Sequence, residues 1–326
     1  MKMKLNVMTS LAAAVAIAAG LTACGGGGTN QKPSTMAKIA CDESFETIFE
    51  QEVNVYEYIY PKEDVMVYYV PEQEAVDSIL AMDGVKGAVL TRQLTEQEVG
   101  YLRSHKKVVH QQKIAVDALA LIVNPANPVE ILSKKDIAEI LSGDVTRWDQ
   151  VEPSKLGEIQ VVFDHAQSST VAYMRDSLLG GKPFGPNVAA VKSNPEVFKA
   201  VASNKNAVGV IGVSWVASDM SGRQMSVEEM AQAVEKSDTT QLDFSSDVKV
   251  LKIRGNDEVT AYRPYQAYIF DGSYPLYRSV YMVSTAPGGT VAHRFYSFVT
   301  GFQGQKIIQM SGILPATVRP RMAVVE

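Results

Sequence analysis

The chain has 326 residues, 46% of them hydrophobic and 21% charged, with a formal net charge of −5. A chain of this size and composition can hide roughly three quarters of its unfolded surface and divide into two domains, which excludes intrinsic disorder and a fibrous repeat. The acidic balance argues against a nucleic-acid partner, which needs a basic face, and Cys24 and Cys41, the only cysteines, cannot supply a disulfide framework.

Taken in chain order, residues 1–23 read as an export signal. Lys2 and Lys4 make a cationic start, and Leu11 to Leu21 is an uncharged apolar run too short to span a bilayer comfortably. The run closes in Leu21-Thr22-Ala23-Cys24, which resembles the bacterial lipobox, and the resemblance implies a lipid on Cys24. Residues 24–36 continue through four consecutive glycines without a periodic apolar position, so they read as a flexible tether reaching about 20 Å. The expected location is therefore outside the cytoplasmic membrane, with the lipid as anchor.

From Ala37 onward, short apolar runs alternate with helix-length amphipathic segments, the pattern of an α/β fold. The runs that read as strands are Lys38–Cys41, Val65–Val70, Gly87–Leu90, Ile114–Val123, Ile159–Phe163, Ala207–Val213 and Leu276–Val283. Ser133-Lys-Lys-Asp136 has the form of a capping box ahead of Ile137, Ile140 and Leu141, and Ser142-Gly143 ends that helix. Asn194-Pro195 opens another. Residues 220–247 mix charge, serine and helix formers, and read as an excursion on the second domain.

The chemistry concentrates in Val161-Val-Phe-Asp-His-Ala-Gln-Ser-Ser-Thr170, a strand that breaks into small hydroxyl residues and runs into a helix over Val171–Leu179. Ser168, Ser169 and Thr170 then occupy the cap and first turn. Unpaired N–H groups and the positive end of the helix dipole make such a start a cradle for an anion, although a serine there can equally do no more than cap the helix. Asp164, His165 and Ser168 are the residue types of a hydrolytic triad, but adjacent strand-end side chains diverge and no nucleophile elbow accompanies them. No catalytic residue, cofactor or metal site is assigned. His105, His110 and His293 lack metal-ligand spacing, and Trp148, Trp215, Tyr274 and Tyr277 read as packing.

Several blocks, in order, resemble the PstS-like phosphate-binding subunits of ABC transporters: Leu94-Thr-Glu-Gln-Glu98, Ile114 to Pro128, Ile137 to Asp149, the hydroxyl turn, Ala207 to Gly212, Tyr274-Pro-Leu-Tyr-Arg278, Gly304 to Ile308 and Ser311 to Pro315. The resemblance implies a two-lobed, periplasmic-binding-protein-like (type II) fold, with mixed sheets, helices on both faces and two hinge strands. Lobe one would comprise residues 37–117 and 272–326, and lobe two residues 118–271. It further implies a monomer that binds phosphate or a related oxyanion between the lobes and hands it to a membrane permease, without enzymatic activity. By the same resemblance Ser44 and Phe45 supply lobe one's donors, and Ser168, Ser169 and Thr170 supply lobe two's.

The departures from that family pattern are informative. Ser169 replaces a glycine, and its hydroxymethyl group can crowd an oxyanion or add a donor. Asp164 stands where the family carries an arginine, and Thr91-Arg92 stands where it carries Ser-Asp. The charges look exchanged, with Arg92 as the cation and Asp164 as the carboxylate, although either residue reads equally as a member of an ordinary ion pair. Asp42, Glu43, Glu72 and Glu74 also place several carboxylates around the expected cleft. That acidity leaves room for a second reading, a cell-envelope protein that keeps the fold and binds a different ligand or a protein partner.

Overall fold

A computed structural model describes residues 35–218, 226–229, 232, 244 and 247–319. The export signal, Cys24 and nearly all of the tether lie outside the described residues, as does most of the 220–247 excursion. The described strands are β1 (Met36–Asp42), β2 (Asp64–Val70), β3 (Gly87–Leu90), β4 (His110–Val123), β5 (Ile131–Ser133), β6 (Gln160–Phe163), β7 (Val188–Ala190), β8 (Ala207–Gly212), β9 (Lys249–Val250), β10 (Lys252–Arg254), β11 (Tyr277–Ser284) and β12 (Leu314–Pro315). The helices are α1 (Glu46–Ile59), α2 (Glu72–Ala81), α3 (Glu96–Ser104), α4 (Lys134–Ser142), α5 (Ser169–Leu179), α6 (Asn194–Ser203), α7 (Val213–Ser218), α8 (Gln266–Phe270), α9 (Val291–Thr300) and α10 (Phe302–Met310).

One long strand organises the sheet. The order is β2-β1-β3-β11-β4-β8-β6-β7, with β9 and β12 also paired to β4. β1 lies parallel to β2 and β3, and β6 parallel to β7 and β8, whereas β11 runs antiparallel to both β3 and β4. The first part of β4 pairs with β11, and from Leu119 to Val123 it pairs with β8. β4 therefore belongs to both halves of the sheet. Its residues Ile114–Val123 are all buried, as expected of a strand covered on both faces, and Asp117 is the one charge among them.

Each expected strand is present, with ends shifted by up to four residues, and five short strands (β5, β7, β9, β10 and β12) lack a legible sequence signal. The shift in β4 has a visible cause. Its register with β11 slips between Val280 and Tyr281, so that Val280 faces Ala115 and Tyr281 faces Lys113. The Ile114 carbonyl, left out of that ladder, accepts from Ala316 N at 3.0 Å and from Gln305 Nε2 at 3.0 Å.

Helix ends follow the local chemistry of the sequence. Ser133 and Asp136 form the expected reciprocal box, with Asp136 N donating to Ser133 Oγ at 3.1 Å and Ser133 N donating to Asp136 Oδ2 at 2.7 Å. Gly143, at φ 84°, takes the left-handed turn that ends α4. Trp148 is fully buried and donates to the Asn206 carbonyl at 2.9 Å, while buried Tyr274 donates to the Leu119 carbonyl at 2.6 Å. Among the described residues, no helix is long and apolar enough to cross a membrane.

The packing of α6 on β8 leaves no space at Gly209. A Cβ there would stand 2.6 Å from Val197 Cγ1 and 2.9 Å from both Ile122 Cγ1 and Val201 Cγ2. Gly209→Ala is expected to overpack this contact and cost about 1–3 kcal/mol. Urea denaturation measures it, and an unchanged midpoint would show that α6 yields without penalty.

Candidate functional site

The candidate site forms where the ends of β1 and β6 meet the pair of strands joining the two halves. After β1, Asp42 caps a single 3-10 turn, Glu43–Phe45, by accepting from Ser44 N at 2.9 Å. After β6, Asp164 Oδ1 accepts from Ser168 Oγ at 2.6 Å, and Ser168 Oγ accepts in turn from Val171 N at 3.2 Å, capping α5. Ser168, Ser169 and Thr170 are all buried at that helix start, where Ser168 is the cap. On the strands between, Arg278 of β11 sits directly opposite Asp117 of β4.

Arg278 ties these pieces together. Its Nε donates to Asp117 Oδ2 at 3.1 Å and its Nη1 to Ser169 Oγ at 2.8 Å, and its guanidinium carbon lies 5.3 Å from the centre of the Phe45 ring. The side chains of Arg278 and Asp117 are only 3% and 1% exposed, so this is a desolvated pair. Ser44 Oγ lies 3.2 Å from Ser169 Oγ, and Trp215 Nε1 of α7 donates to the Ser44 carbonyl at 3.0 Å, so the two halves touch at this point.

Buried polar atoms without a hydrogen-bond partner gather here: Asp42 Oδ2, Asp117 Oδ1, Asp164 Oδ2, Arg278 Nη2 and Ser214 Oγ have none among the described residues. Gly212 lies beside two of these side chains, since a Cβ on it would make ordinary contacts at 3.4 Å with Asp117 Oδ2 and 3.8 Å with Ser214 Oγ. Orphaned donors and acceptors in one place are costly unless something else satisfies them.

Burial also governs the acids. Asp117 is pushed up to about 6 by desolvation, which outweighs the opposing pull of Arg278, and Asp42 adds to the rise. Glu43 is pushed up to about 7, chiefly by burial and then by the charge of Asp164, with His165 acting in the other direction. Asp164 is raised by burial against the lowering effect of its bond from Ser168.

The sequence-derived site is only partly assembled. Ser44, Phe45, Asp164, Ser168, Ser169 and Thr170 are buried around the junction. Thr91 and Arg92 have other partners: Thr91 donates to Glu72 Oε1 from its hydroxyl at 2.7 Å and also from its backbone N–H. Arg92 forks onto both Glu98 oxygens at 2.9 Å, holding that carboxyl down to about 2. The guanidinium that meets the hydroxyl turn is therefore that of Arg278. Arg92 instead takes the nearby acid at the third position of α3's capping box. Glu72 turns to Thr91 and Glu74 is exposed, so the acids that gather are Asp42, Glu43, Asp117 and Asp164.

Arg278, Asp117, Ser214 and Trp215 are site-lining residues that sequence reasoning missed. A usable signal existed in two of them, because Asp117 and Arg278 are single charges on the two strands read as hinges. His165 does not complete a triad: the Ser168 hydroxyl donates to Asp164, while His165 Nδ1 accepts from Gln167 N at 3.2 Å and lies 3.8 Å from Glu43 Oε1. No group of three His, Cys, Asp or Glu side chains among the described residues is arranged to hold a metal.

A buried guanidinium, hydroxyls and a helix start thus converge where the two halves of the sheet meet. The sequence profile of the PBP superfamily domain matches residues 28–301, and the chain belongs to that superfamily. The phosphate-binding protein PstS of Pseudomonas aeruginosa is 23% identical over 238 residues, 68% of this chain and 63% of that protein. This chain thus spans less than two thirds of that relative's length. The PstS of Borreliella burgdorferi is 26% identical over 139 residues, 40% of this chain and 47% of that one. Among solved structures, a substrate-binding protein with bound phosphate from Clostridium perfringens superposes with a TM-score of 0.67 at 19% identity, covering 86% of this chain and all of that one. An ABC-type phosphate transport receptor from Vibrio cholerae gives 0.61 at 23% identity, covering 85% and 99%. The fold is the two-lobed α/β periplasmic-binding-protein-like class, and the proteins it resembles are receptors rather than enzymes.

Arg278→Leu is expected to strand the Asp117 carboxylate in a buried setting and to cost about 3–5 kcal/mol at pH 8. The penalty should shrink below pH 6, where Asp117 takes up a proton, and Arg278→Leu/Asp117→Leu should recover much of the loss at pH 8. Thermal denaturation at the two pH values reads both effects. A loss of equal size at pH 5 and pH 8 would contradict a charged Asp117.

Proposed function

We propose that this chain is an exported substrate-binding protein that holds phosphate, or a closely related tetrahedral oxyanion, between two lobes and delivers it to an ABC transporter. The observation that carries the reading is the buried Arg278 guanidinium. It keeps one unpartnered N–H edge at the place where the Asp42–Phe45 turn, the Ser168–Thr170 helix start and Ser214 converge. A guanidinium edge, hydroxyls and the positive end of a helix are the donors that an oxyanion requires. The superfamily match and relatives named as phosphate-binding proteins support the same ligand.

On this reading, the lobes are residues 37–117 with 272–326 and residues 118–271, joined through β4 and β11. Ser44 and Phe45 serve from the first, Asp164, Ser168, Ser169 and Thr170 from the second, and Arg278 from a connecting strand. Ser44 and Ser169 stand 3.2 Å apart across the two lobes, and they must separate for an anion to enter from outside. Contact with both lobes then makes the anion favour the closed state. The orphaned oxygens of Asp42 and Asp164 can accept from a protonated phosphate oxygen, which sulfate lacks near neutral pH. Lipid on Cys24 would hold the protein at the cell membrane, on its periplasmic or extracellular face, beside the permease.

Isothermal titration of the purified chain should give saturable heat with phosphate and none with sulfate. Arg278→Lys, which keeps the charge but loses the fork, should weaken phosphate at least about tenfold, while Arg92→Ala, whose guanidinium is occupied by Glu98, should change affinity by less than about twofold. Absence of heat and of any thermal shift at millimolar phosphate, from pH 5 to pH 8, rejects the phosphate reading in favour of a different ligand or a protein partner. Anchoring is tested separately: Cys24→Ser should move the chain from the detergent phase to the aqueous phase.

A further inference from the structure

The carboxyls of the site come from opposite sides of it. Asp42 and Glu43 follow β1, Asp164 follows β6 on the other half of the sheet, and Asp117 lies on the strand between. Against these four stands one buried guanidinium, Arg278, already bonded to Asp117. Asp42 Oδ2, Asp117 Oδ1 and Asp164 Oδ2 are buried and unpartnered, and so is Glu43 Oε1, which has only His165 Nδ1 at 3.8 Å. Contact between the halves at Ser44–Ser169 thus brings acids together that an open cleft would keep apart in water.

An anion entering this space meets an excess of negative charge. With every carboxyl ionised, the site would carry a net charge of about −3 before the ligand arrived, in surroundings where water no longer screens it. We propose that the cleft captures its oxyanion together with a proton from solvent, which the carboxyls of Glu43 and Asp164, one from each half, share once the halves close. The inference rests on the phosphate reading for the ligand, but the closing step it describes belongs to the protein alone.

The charges facing this pair set the direction. Glu43 is surrounded by Asp164, Asp42 and Glu46, with His165 opposing them, while Asp164 faces Asp42 and, in the opposite sense, Arg278. The closed state thus raises Glu43 from its ordinary 4.5 to about 7. A carboxyl raised on closing favours the closed state when protonated, so closure is promoted in acid and loses that support as the pH climbs through about 7.

Two measurements on the full chain test this. Titration of phosphate at pH 7, in buffers of different ionisation enthalpy, should show up to about half a proton more taken up per phosphate by wild type than by Glu43→Gln. The affinity of wild type should also fall more steeply than that of Glu43→Gln between pH 7 and pH 8, by up to about twofold. The glutamine variant retains the titration of phosphate itself, which isolates the protein's proton. In the second measurement, without ligand, emission from Trp215, whose indole N–H crosses to the Ser44 carbonyl, should change with a midpoint near pH 7. Trp148, the other tryptophan, is fully buried, and a Trp148→Phe background leaves Trp215 as the sole emitting indole. Glu43→Gln should abolish the change.

Equal proton uptake and equal pH slopes in the two proteins would overturn the proposal while leaving phosphate binding intact. A normal Trp215 transition with no phosphate binding at any pH would uphold proton-coupled closure and reject phosphate. Absence of both would reject the two together.

Discussion

The site depends on a charge pair that two neighbouring strands carry into the protein interior. Asp117 and Arg278 face one another across the β4–β11 ladder, and neither side chain is more than 3% exposed. Burying both ions is expensive, and their mutual attraction does not fully repay the cost, as the upward displacement of Asp117 shows. The pair is therefore better understood as placing a cation than as strengthening the fold. Asp117 anchors Nε, Phe45 lies beneath the guanidinium, Ser169 takes Nη1, and the remaining edge is left directed at the cleft.

Placing the cation on a connecting strand has a mechanical consequence. β4 pairs with strands of both halves of the sheet and β11 lies against it, so on the two-lobed reading proposed above the guanidinium keeps its place while residues on either side approach it. Ser169 arrives from α5, Phe45 and Ser44 from the turn after β1, and Trp215 from α7. A cation carried by one lobe's loop would itself have to travel, and its desolvation would change with every opening. On that reading the charged pair would remain buried, and the parts that move would be hydroxyls, one indole and the acids Glu43 and Asp164.

Much of the framework was legible in the sequence because it rests on local rules. Apolar runs read correctly as strands, Ser133 and Asp136 announced their own capping box, and the small hydroxyl residues after Phe163 did start a helix. The short strands β5, β7, β9, β10 and β12 were not legible, since two or three residues carry no periodicity and are defined by their partners. The site was harder for the same reason. Arg92 sits in a position that invites a cation, yet Glu98, fixed by the Thr95 cap, is six residues away and collects its fork. Arg278 lies 114 residues beyond Asp164, and only the crossing of β4 and β11 brings it to the hydroxyl turn. Chain order can suggest the residue types of a site, but choosing between two arginines requires the topology.

Ser169 shows what such a substitution does to recognition. Where the resembling family has glycine, this chain places a hydroxyl that accepts from Arg278 at 2.8 Å and lies 3.2 Å from Ser44. The cation is consequently never bare on that edge, even in the closed state. An anion bound there must exchange with a hydrogen bond already made, so the net gain is the difference between two charge-assisted bonds rather than the whole of one. The opposite edge, Nη2, carries no such competition. On the phosphate reading proposed above, this competition at the helix tip favours an anion seated deeper than the α5 start alone would hold it, where buried carboxyls as well as the guanidinium would face it.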